Sequence, residues 1–462
     1  MKYLIYSISG DGAGFAWRLL EEGNDVEIFI KEPFFKGILK GLVPHVNSLE
    51  EGLSHKPDVV IFDMNGDGKV ADATRKRGFR CVGGGRFNDM LEMDRTYGMS
   101  LAKRLGIKTP EFTVFKQNQI EEAIAFIHET NGRYVLKPHG NLALDLTYVA
   151  SDAEDMIHEL EWIDRQGIMK GDFILQDFVD GWEISTEGWF SNGNPIPALA
   201  NGTMERKKFL TGDLGCQTGS ESSVVWPYGT DRTKIFQKTL WKMYPILKEM
   251  KFTGPIDINA IISKQDGQPY FLEFTPRFGY SAFYALAELI DGHLGQFFYD
   301  IALGKLDDIS LKNDQVSMAL TLSIPPYPLD SGKDFNHKAL QETKGKPIIH
   351  LPEDGHWWPY DMAFDDSVDQ FVTAGTLGLI CFATNSGSSV EEAEDKTYEI
   401  AQHIGIPNVQ YRIDGAEKVM EHIPEIKQME YDGPYCKREE METKEEDAPE
   451  IDAVGVGEEE ED

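Results

Sequence analysis

The chain has 462 residues, more than one ordinary hydrophobic core accommodates, so two to four domains are expected. Its 78 acidic against 45 basic residues leave a net charge of −33, and the field of that surplus repels nucleic acid and anionic membranes alike. Apolar residues make up 41%, enough for globular packing, and no apolar run approaches the roughly 20 residues that span a bilayer. Cys81, Cys216, Cys381 and Cys436 lack CxxC or zinc-like spacing and read as free thiols. The opening MKYLIYSISGDGAG has neither the basic flank nor the uninterrupted apolar region of a signal peptide. A soluble cytoplasmic protein without nucleic-acid or membrane partners is the expectation.

In chain order, Lys2–Ser9 is a β-rich run followed by Gly10, Gly12 and Gly14, a helical pattern over Phe15–Gly23 and a strand at Asp25–Ile30. This is a βαβ opening, in which the glycines either seat a phosphate at the helix N-terminus or simply permit a tight turn. Asp58–Asp63 and Arg80–Val82 read as further parallel strands. Asn88–Leu105 is one amphipathic helix capped by Asn88, and Gln119–Thr130 forms another. Tyr134–Pro138 is a strand presenting Lys137 ahead of a loop containing Gly140; a lysine so placed either snorkels or puts its ammonium on nucleotide phosphates, and the second reading is preferred. Phe173–Val179 and Asp180–Ser185 follow as strands. ERKKFLTGDLGCQTGSES, from Glu205, offers Lys208 and a glycine–hydroxyl stretch able to wrap an anion; an ordered surface loop is the competing reading. Thr233–Met250 carries a helical stripe, and Phe278–Gly304 reads as mainly helical. From Ser310 strands alternate at Gln315–Ile324, Pro347–Leu351, Pro359–Phe364 and Gly378–Ala383, and Ser389 caps a later helix. Lys437–Asp462 has almost no large apolar side chains and reads as disordered.

The most informative stretch is TGPIDINAIISKQDGQPYFLEFTPRFGYS, from Thr253 to Ser281. Two β-rich runs, Ile256–Ser263 and Pro269–Phe274, flank Asp266-Gly267, a strong hairpin signal. Alternation puts Asp257 and Asn259 on one face of the first strand, and Glu273 and Thr275 on one face of the second. Two carboxylates, an amide and a hydroxyl are hard oxygen donors suited to Mg²⁺ (or Mn²⁺), with Arg277 next in line for an anion. A ribbon with a wet polar face is the plainer alternative.

LEFTPRFG, together with YVLKP, the G-W-E-I-S strand from Gly181, the T-A-G-T turn at Thr373 and YRIDG from Tyr411, resembles the ATP-grasp ligases, in particular the phosphoribosylamine-glycine ligase family. The resemblance extends over most of Met1 to about Gly415. It implies an α/β (α+β) fold: a Rossmann-like preATP-grasp domain over 1–105, a two-part ATP-grasp domain over 106–308 with its small lobe near 106–190 and large lobe near 191–308, a small β-rich C-terminal domain over 309–425, and an acidic tail over 426–462. It also implies an ATP- and Mg²⁺-dependent ligase joining an amino acid to a phosphoribosylamine-like amine, as a monomer or homodimer. By the same resemblance Lys137 and Arg95 meet phosphates, and Gly140 lies in the loop that covers them. Gln176, Asp177, Phe178 and Val179 form the adenine hinge. Glu183 meets ribose or orients Lys137, Lys208 touches the nucleotide, Asn259, Asp257, Glu273 and Thr275 hold the metal, and Arg277 meets the transferred phosphoryl. Thr275 and Arg95 stand where the family has Asn and Lys. Those departures, with the single glycine of the phosphate loop, motivate one alternative, a nucleotide-binding homologue with impaired catalysis; the altered TGDLGCQTGSES and TPRFGYS segments motivate another, a ligase for a different acid or amine.

Overall fold

A computed structural model describes residues 1–138, 147–329 and 334–436. The loop containing Gly140 lies outside the described residues, as does the expected tail beyond 436; its start at 426 is too early, since Ile426 lies in the helix Glu417–Gln428 and Tyr431 and Cys436 are buried.

The first hundred residues form a four-stranded parallel sheet, β1 (Lys2–Ser7), β2 (Asp25–Ile30), β3 (Val59–Phe62) and β4 (Cys81–Val82), in the order β2-β1-β3-β4. β1 and β3 are near-continuous apolar runs because helices, such as Ala13–Glu21, cover the sheet and leave those strands almost wholly buried. The expected single helix over Asn88–Leu105 is two, Arg86–Met93 and Arg95–Arg104. Asp94 breaks them apart: its carboxylate accepts the Tyr97 N–H at 2.9 Å and caps the second helix. Asn88 is therefore no cap. It sits inside the first helix and donates to the Pro276 carbonyl at 2.6 Å, fastening that helix to the Arg277 segment.

A second, antiparallel sheet runs β5-β8-β6-β7, with β5 (Phe112–Phe115), β6 (Tyr134–Pro138), β7 (Tyr148–Val149) and β8 (Phe173–Asp177). Ile120–Thr130 and Ala153–Gln166 pack on it around Phe115, Ile127, Leu136, Leu160 and Phe173. The lysine-bearing strand β6 is thus held rigidly at its centre.

The third sheet has nine strands. Eight follow the order β14-β13-β9-β11-β12-β15-β20-β17, and a short strand, β10 (Asn194–Pro195), pairs with β9. Its members are β9 (Gly181–Ser191), β11 (Asn201–Leu210), β12 (Leu214–Pro227), β13 (Gly254–Ser263), β14 (Pro269–Thr275), β15 (Val316–Ser323), β17 (Trp357–Pro359) and β20 (Leu379–Gly387). A three-stranded sheet of β16 (Pro347–Ile348), β18 (Met362–Asp365) and β19 (Gln370–Thr373) lies apart. The pairing of β12 with β15 carries hydrogen bonding from the segment before residue 308 into the segment after it, so one sheet joins both. The expected helix over Thr233–Met250 is broken into Lys234–Lys238, a 3-10 turn at Leu240–Met243, and Tyr244–Glu249. Thr239, at φ −121° and ψ −97°, makes the first break, and Pro245 sits in the first turn of the last piece, where it lacks an N–H to donate.

Arg412 ties the far end of the large sheet together. Fully buried, it donates through Nη1 to the carbonyls of Lys208 and Leu210, through Nε to Asp414 at 2.9 Å, and through Nη2 to Asp414 at 2.7 Å and Asp213 at 3.1 Å. Arg412→Met would remove these hydrogen bonds, leaving Asp213 to Arg206 and Asp414 to the Gly212 N–H, and a loss of about 2–3 kcal/mol in unfolding free energy is expected, measurable by denaturant titration.

No helix among the described residues is long and apolar enough to cross a membrane.

Candidate active site

The hairpin β13–β14 turns at Asp266-Gly267, with Gly267 at φ +62°, a conformation costly for other residues. Its register pairs Asp257 with Thr275 and Asn259 with Glu273, so all four side chains share one face. The neighbouring strand β9 adds Ser185 opposite Asn259 and Glu187 opposite Asp257 on that face. Asn259 is locked at the centre. Its Nδ2 donates to Thr275 Oγ1 at 3.2 Å and Asp257 Oδ1 at 3.4 Å, and Ser185 Oγ donates to its Oδ1.

Across from this face stands β6. Lys137 is buried and donates to Gln176 Oε1 at 2.9 Å, a partner supplied by the adjacent strand β8. Lys137 and Glu273 line one cleft with Arg95, Glu92, Leu91 and Met99. Arg95 Nη1 is 3.8 Å from Glu273 Oε2. Burial lowers the Lys137 ammonium to about 8, with Arg95 and Lys207 adding to the drop and Glu273 and Glu183 opposing it. Burial alone would raise Glu273, yet Lys207, Arg95 and Lys137 outweigh it and hold the carboxyl below its usual range. Lys137, Arg95 and Lys207 thus gather around the Glu273 carboxylate, an arrangement that suits a polyanion arriving with a divalent cation.

Lys207, and not Lys208, enters this cluster. On β11 the alternation Thr203, Glu205, Lys207 faces the site, whereas Lys208 lies opposite and reaches only the Gly215 carbonyl, at 3.4 Å. Lys207 Nζ is 2.7 Å from Glu183 Oε1 and 3.8 Å from Glu205 Oε2. Burial would raise Glu183, but Lys207 and Lys418 hold it down to about 2. Glu183 is thus engaged by Lys207, and its influence on Lys137 is through charge alone. Counting by twos from Thr203 marks Lys207; the basic run by itself does not.

The TGDLG stretch has little left to offer an anion at Gly212 and Asp213. It is the tip of the β11–β12 hairpin, with Asp213 at φ +55°, and its polar groups are taken internally: Gly212 N–H donates to Asp414 at 2.9 Å and Asp213 pairs with Arg206 at 2.7 Å. In the expected adenine hinge, Asp177 N–H already donates to the Glu111 carbonyl and Phe178 N–H to that of Arg133, so a base would be read there by other groups. The Phe178 ring is covered by the Arg133 guanidinium at 3.5 Å, and Val179 follows immediately. Arg277 is held by Glu92, Nε and Nη2 both lying 2.9 Å from Oε1. Glu92 lines the Lys137 cleft and Arg277 lines a second one, so this ion pair stands between the two.

No family model matches the chain. Curated relatives do. A phosphoribosylamine–glycine ligase of Helicobacter pylori (strain J99) is 25% identical over 364 residues, covering 76% of this chain and 80% of the relative. One of Vibrio parahaemolyticus is 24% identical over 440 residues, covering 90% and 97%. Among solved structures, phosphoribosylamine–glycine ligase from Thermotoga maritima superposes with a TM-score of 0.66 at 21% identity, covering 90% of this chain and all of that one. The biotin carboxylase domain of Hydrogenobacter thermophilus 2-oxoglutarate carboxylase, a dimer solved with MgADP, matches with a TM-score of 0.59 at 13% identity, covering 88% and 91%. The fold is the one these solved structures share, the ATP-grasp fold. Within that class, the resemblance to the phosphoribosylamine–glycine ligases runs through sequence and fold over most of the chain.

Proposed function

We propose that the chain is an ATP- and Mg²⁺-dependent carboxylate–amine ligase that makes an amide through an acyl phosphate, converting phosphoribosylamine, glycine and ATP to glycinamide ribonucleotide, ADP and phosphate. The observation that carries this reading is the meeting of Lys137, Arg95 and Glu273 in one cleft beside the Lys207–Glu183 pair. The relatives' shared name supports the choice of substrates.

The donor set fits a hard divalent cation. Glu273, half-exposed at the cleft edge, faces Asn259, with the Asp257 carboxyl and Thr275 hydroxyl beside them. Among the described residues no three acidic, histidine or cysteine side chains converge closely enough to hold a metal alone, so the remaining ligands would be phosphate oxygens and water. Mg²⁺ or Mn²⁺ bound there would neutralise phosphate charge. Lys137, kept in place by Gln176, and Arg95 meet the phosphates, while Arg277 would meet the acyl phosphate on the side of its Glu92 partner, which lines the Lys137 cleft. A substrate carboxylate oxygen attacks the γ-phosphorus and ADP leaves; the amine nitrogen then attacks the acyl carbon and phosphate leaves. No nucleophilic side chain is needed.

A second reading, a nucleotide-binding relative with impaired catalysis, draws on the internal commitment of Arg277 to Glu92. ADP release decides between them. One ADP per glycinamide ribonucleotide, dependent on glycine, phosphoribosylamine and Mg²⁺ together, is expected; ATP binding without turnover across a panel of acids and amines would establish the second reading.

A further inference from the structure

The second cleft lies where β1 and β3 end, between the N-terminal sheet and the segment that follows the metal-ligand hairpin. It is lined by Asp11, Asp63, Arg277, Tyr280, Tyr284 and Tyr360, among others. An anion is poorly served here. The N–H of Gly12, at the start of helix Ala13–Glu21, donates to Asp63 Oδ2 at 2.6 Å, and the N–H of Gly10 donates to Ser7 Oγ at 2.7 Å. The protein's own groups therefore occupy the place a phosphate would take in a glycine-turn site, and the lining cation, Arg277, is neutralised by Glu92.

The carboxylates are arranged to receive a cation. Asp11 is fixed by two hydroxyl donors, Ser9 Oγ at 2.6 Å and Tyr360 at 2.7 Å, while Tyr284 donates to its backbone carbonyl at 3.0 Å. Asp63 is 2% exposed, and its Oδ1 is buried with no hydrogen-bond partner. A buried carboxylate oxygen left unpaired is costly, and a donor supplied by a ligand removes that cost. Burial first, and then Asp11, push the Asp63 carboxyl well above its usual range, and a cation seated beside it would favour its ionised form. Aromatic faces around the cleft add to the preference for an organic cation.

We infer that this cleft seats the amine substrate by its primary ammonium, with Asp11 and Asp63 as the acceptors. The inference rests on the ligase reading for its place in the reaction: the ammonium is held beside Arg277, next to the cleft where the acyl phosphate forms. One carboxylate takes a proton from the ammonium, the freed nitrogen forms the C–N bond, and the acyl C–O bond breaks with its electron pair going to phosphate, which leaves with the second N–H proton. The site selects acceptors that present a positive amino group and excludes those that would present phosphate at this end.

Asp11→Asn and Asp63→Asn test it in the full chain, with thermal melting to verify folding. In steady-state assays with ATP, glycine and phosphoribosylamine, each variant is expected to raise the KM for the amine about tenfold or more, with the KM for ATP and for glycine within about twofold of the parent. A second arm needs no turnover: saturation transfer from the unmodified protein to methylammonium, against acetate as the comparison, should favour methylammonium and vanish in whichever variant is folded. An unchanged KM for the amine, KM values for all three substrates rising together, or equal transfer to methylammonium and acetate would overturn the inference. Absence of ADP release from the unmodified protein would instead remove the ligase reading, and the transfer experiment would still decide whether the cleft takes an ammonium.

Discussion

Lys137→Met is expected to reduce kcat/KM for ATP by about 10²–10³-fold while leaving the protein at least as stable as the parent. The two halves of that expectation come from one observation. Lys137 is buried and donates to the neutral amide of Gln176, and burial lowers its ammonium to about 8. A folded-state value below the unfolded one of about 10.5 means that the charge is a burden to the folded protein. The burden is fully present below pH 8 and is relieved as pH rises from about 8 to 10.5. Methionine fills similar volume without the charge, so the rise in parental stability across that window should be missing in the variant. ATP reverses the sign, because its phosphates favour the charged ammonium. Nucleotide binding should therefore take up a proton above pH 8 and weaken there in the parent, and calorimetry in buffers of different ionisation enthalpy reads that proton directly. A variant that lost stability and activity in parallel, with no change in proton uptake, would make Lys137 a packing residue.

What the sequence discloses about this site depends on how local each signal is. The oxygen face of the β13–β14 hairpin was legible because strand alternation and an Asp-Gly turn are properties of consecutive residues, and the β6 lysine was legible for the same reason. Lys207 was not, because which face of β11 meets the site is fixed by its pairing with β9, and only once Thr203 is known to lie on that face does a count by twos reach Lys207. The break at Asp94 escaped the amphipathic pattern since an apolar stripe continues across it; only the competition of its carboxylate for the Tyr97 N–H ends one helix and begins the next. The joining of β12 to β15 and the meeting of Asp11 with Asp63 are products of topology, in which distant strands become neighbours. The commitment of Arg277 to Glu92 belongs to this group as well.

Glu273→Gln should separate the metal from the nucleotide. The substitution keeps shape and removes one negative charge from a cluster in which Lys207, Arg95 and Lys137 are the nearest cations. Without Mg²⁺, the three cations would meet ATP with less internal opposition, so metal-free nucleotide is expected to bind as well as or better than in the parent. With Mg²⁺, the variant would lack the ligand proposed at Glu273, and Asn259 and the Thr275 hydroxyl are poorly placed to replace it, the first held by Ser185, Asp257 and Thr275 and the second accepting from Asn259. Half-maximal activation should then require much more Mg²⁺, and kcat should fall about 10²-fold or more, the scale of a lost metal contribution to charge stabilisation. Opposite changes in metal-free affinity and Mg²⁺ requirement would distinguish a ligand from a residue that merely shapes the strand, for which both would worsen together. Unaltered Mg²⁺ dependence at reduced turnover would place the cation elsewhere in the cleft, since a carboxylate that does not touch the ion has no reason to set the concentration at which it acts.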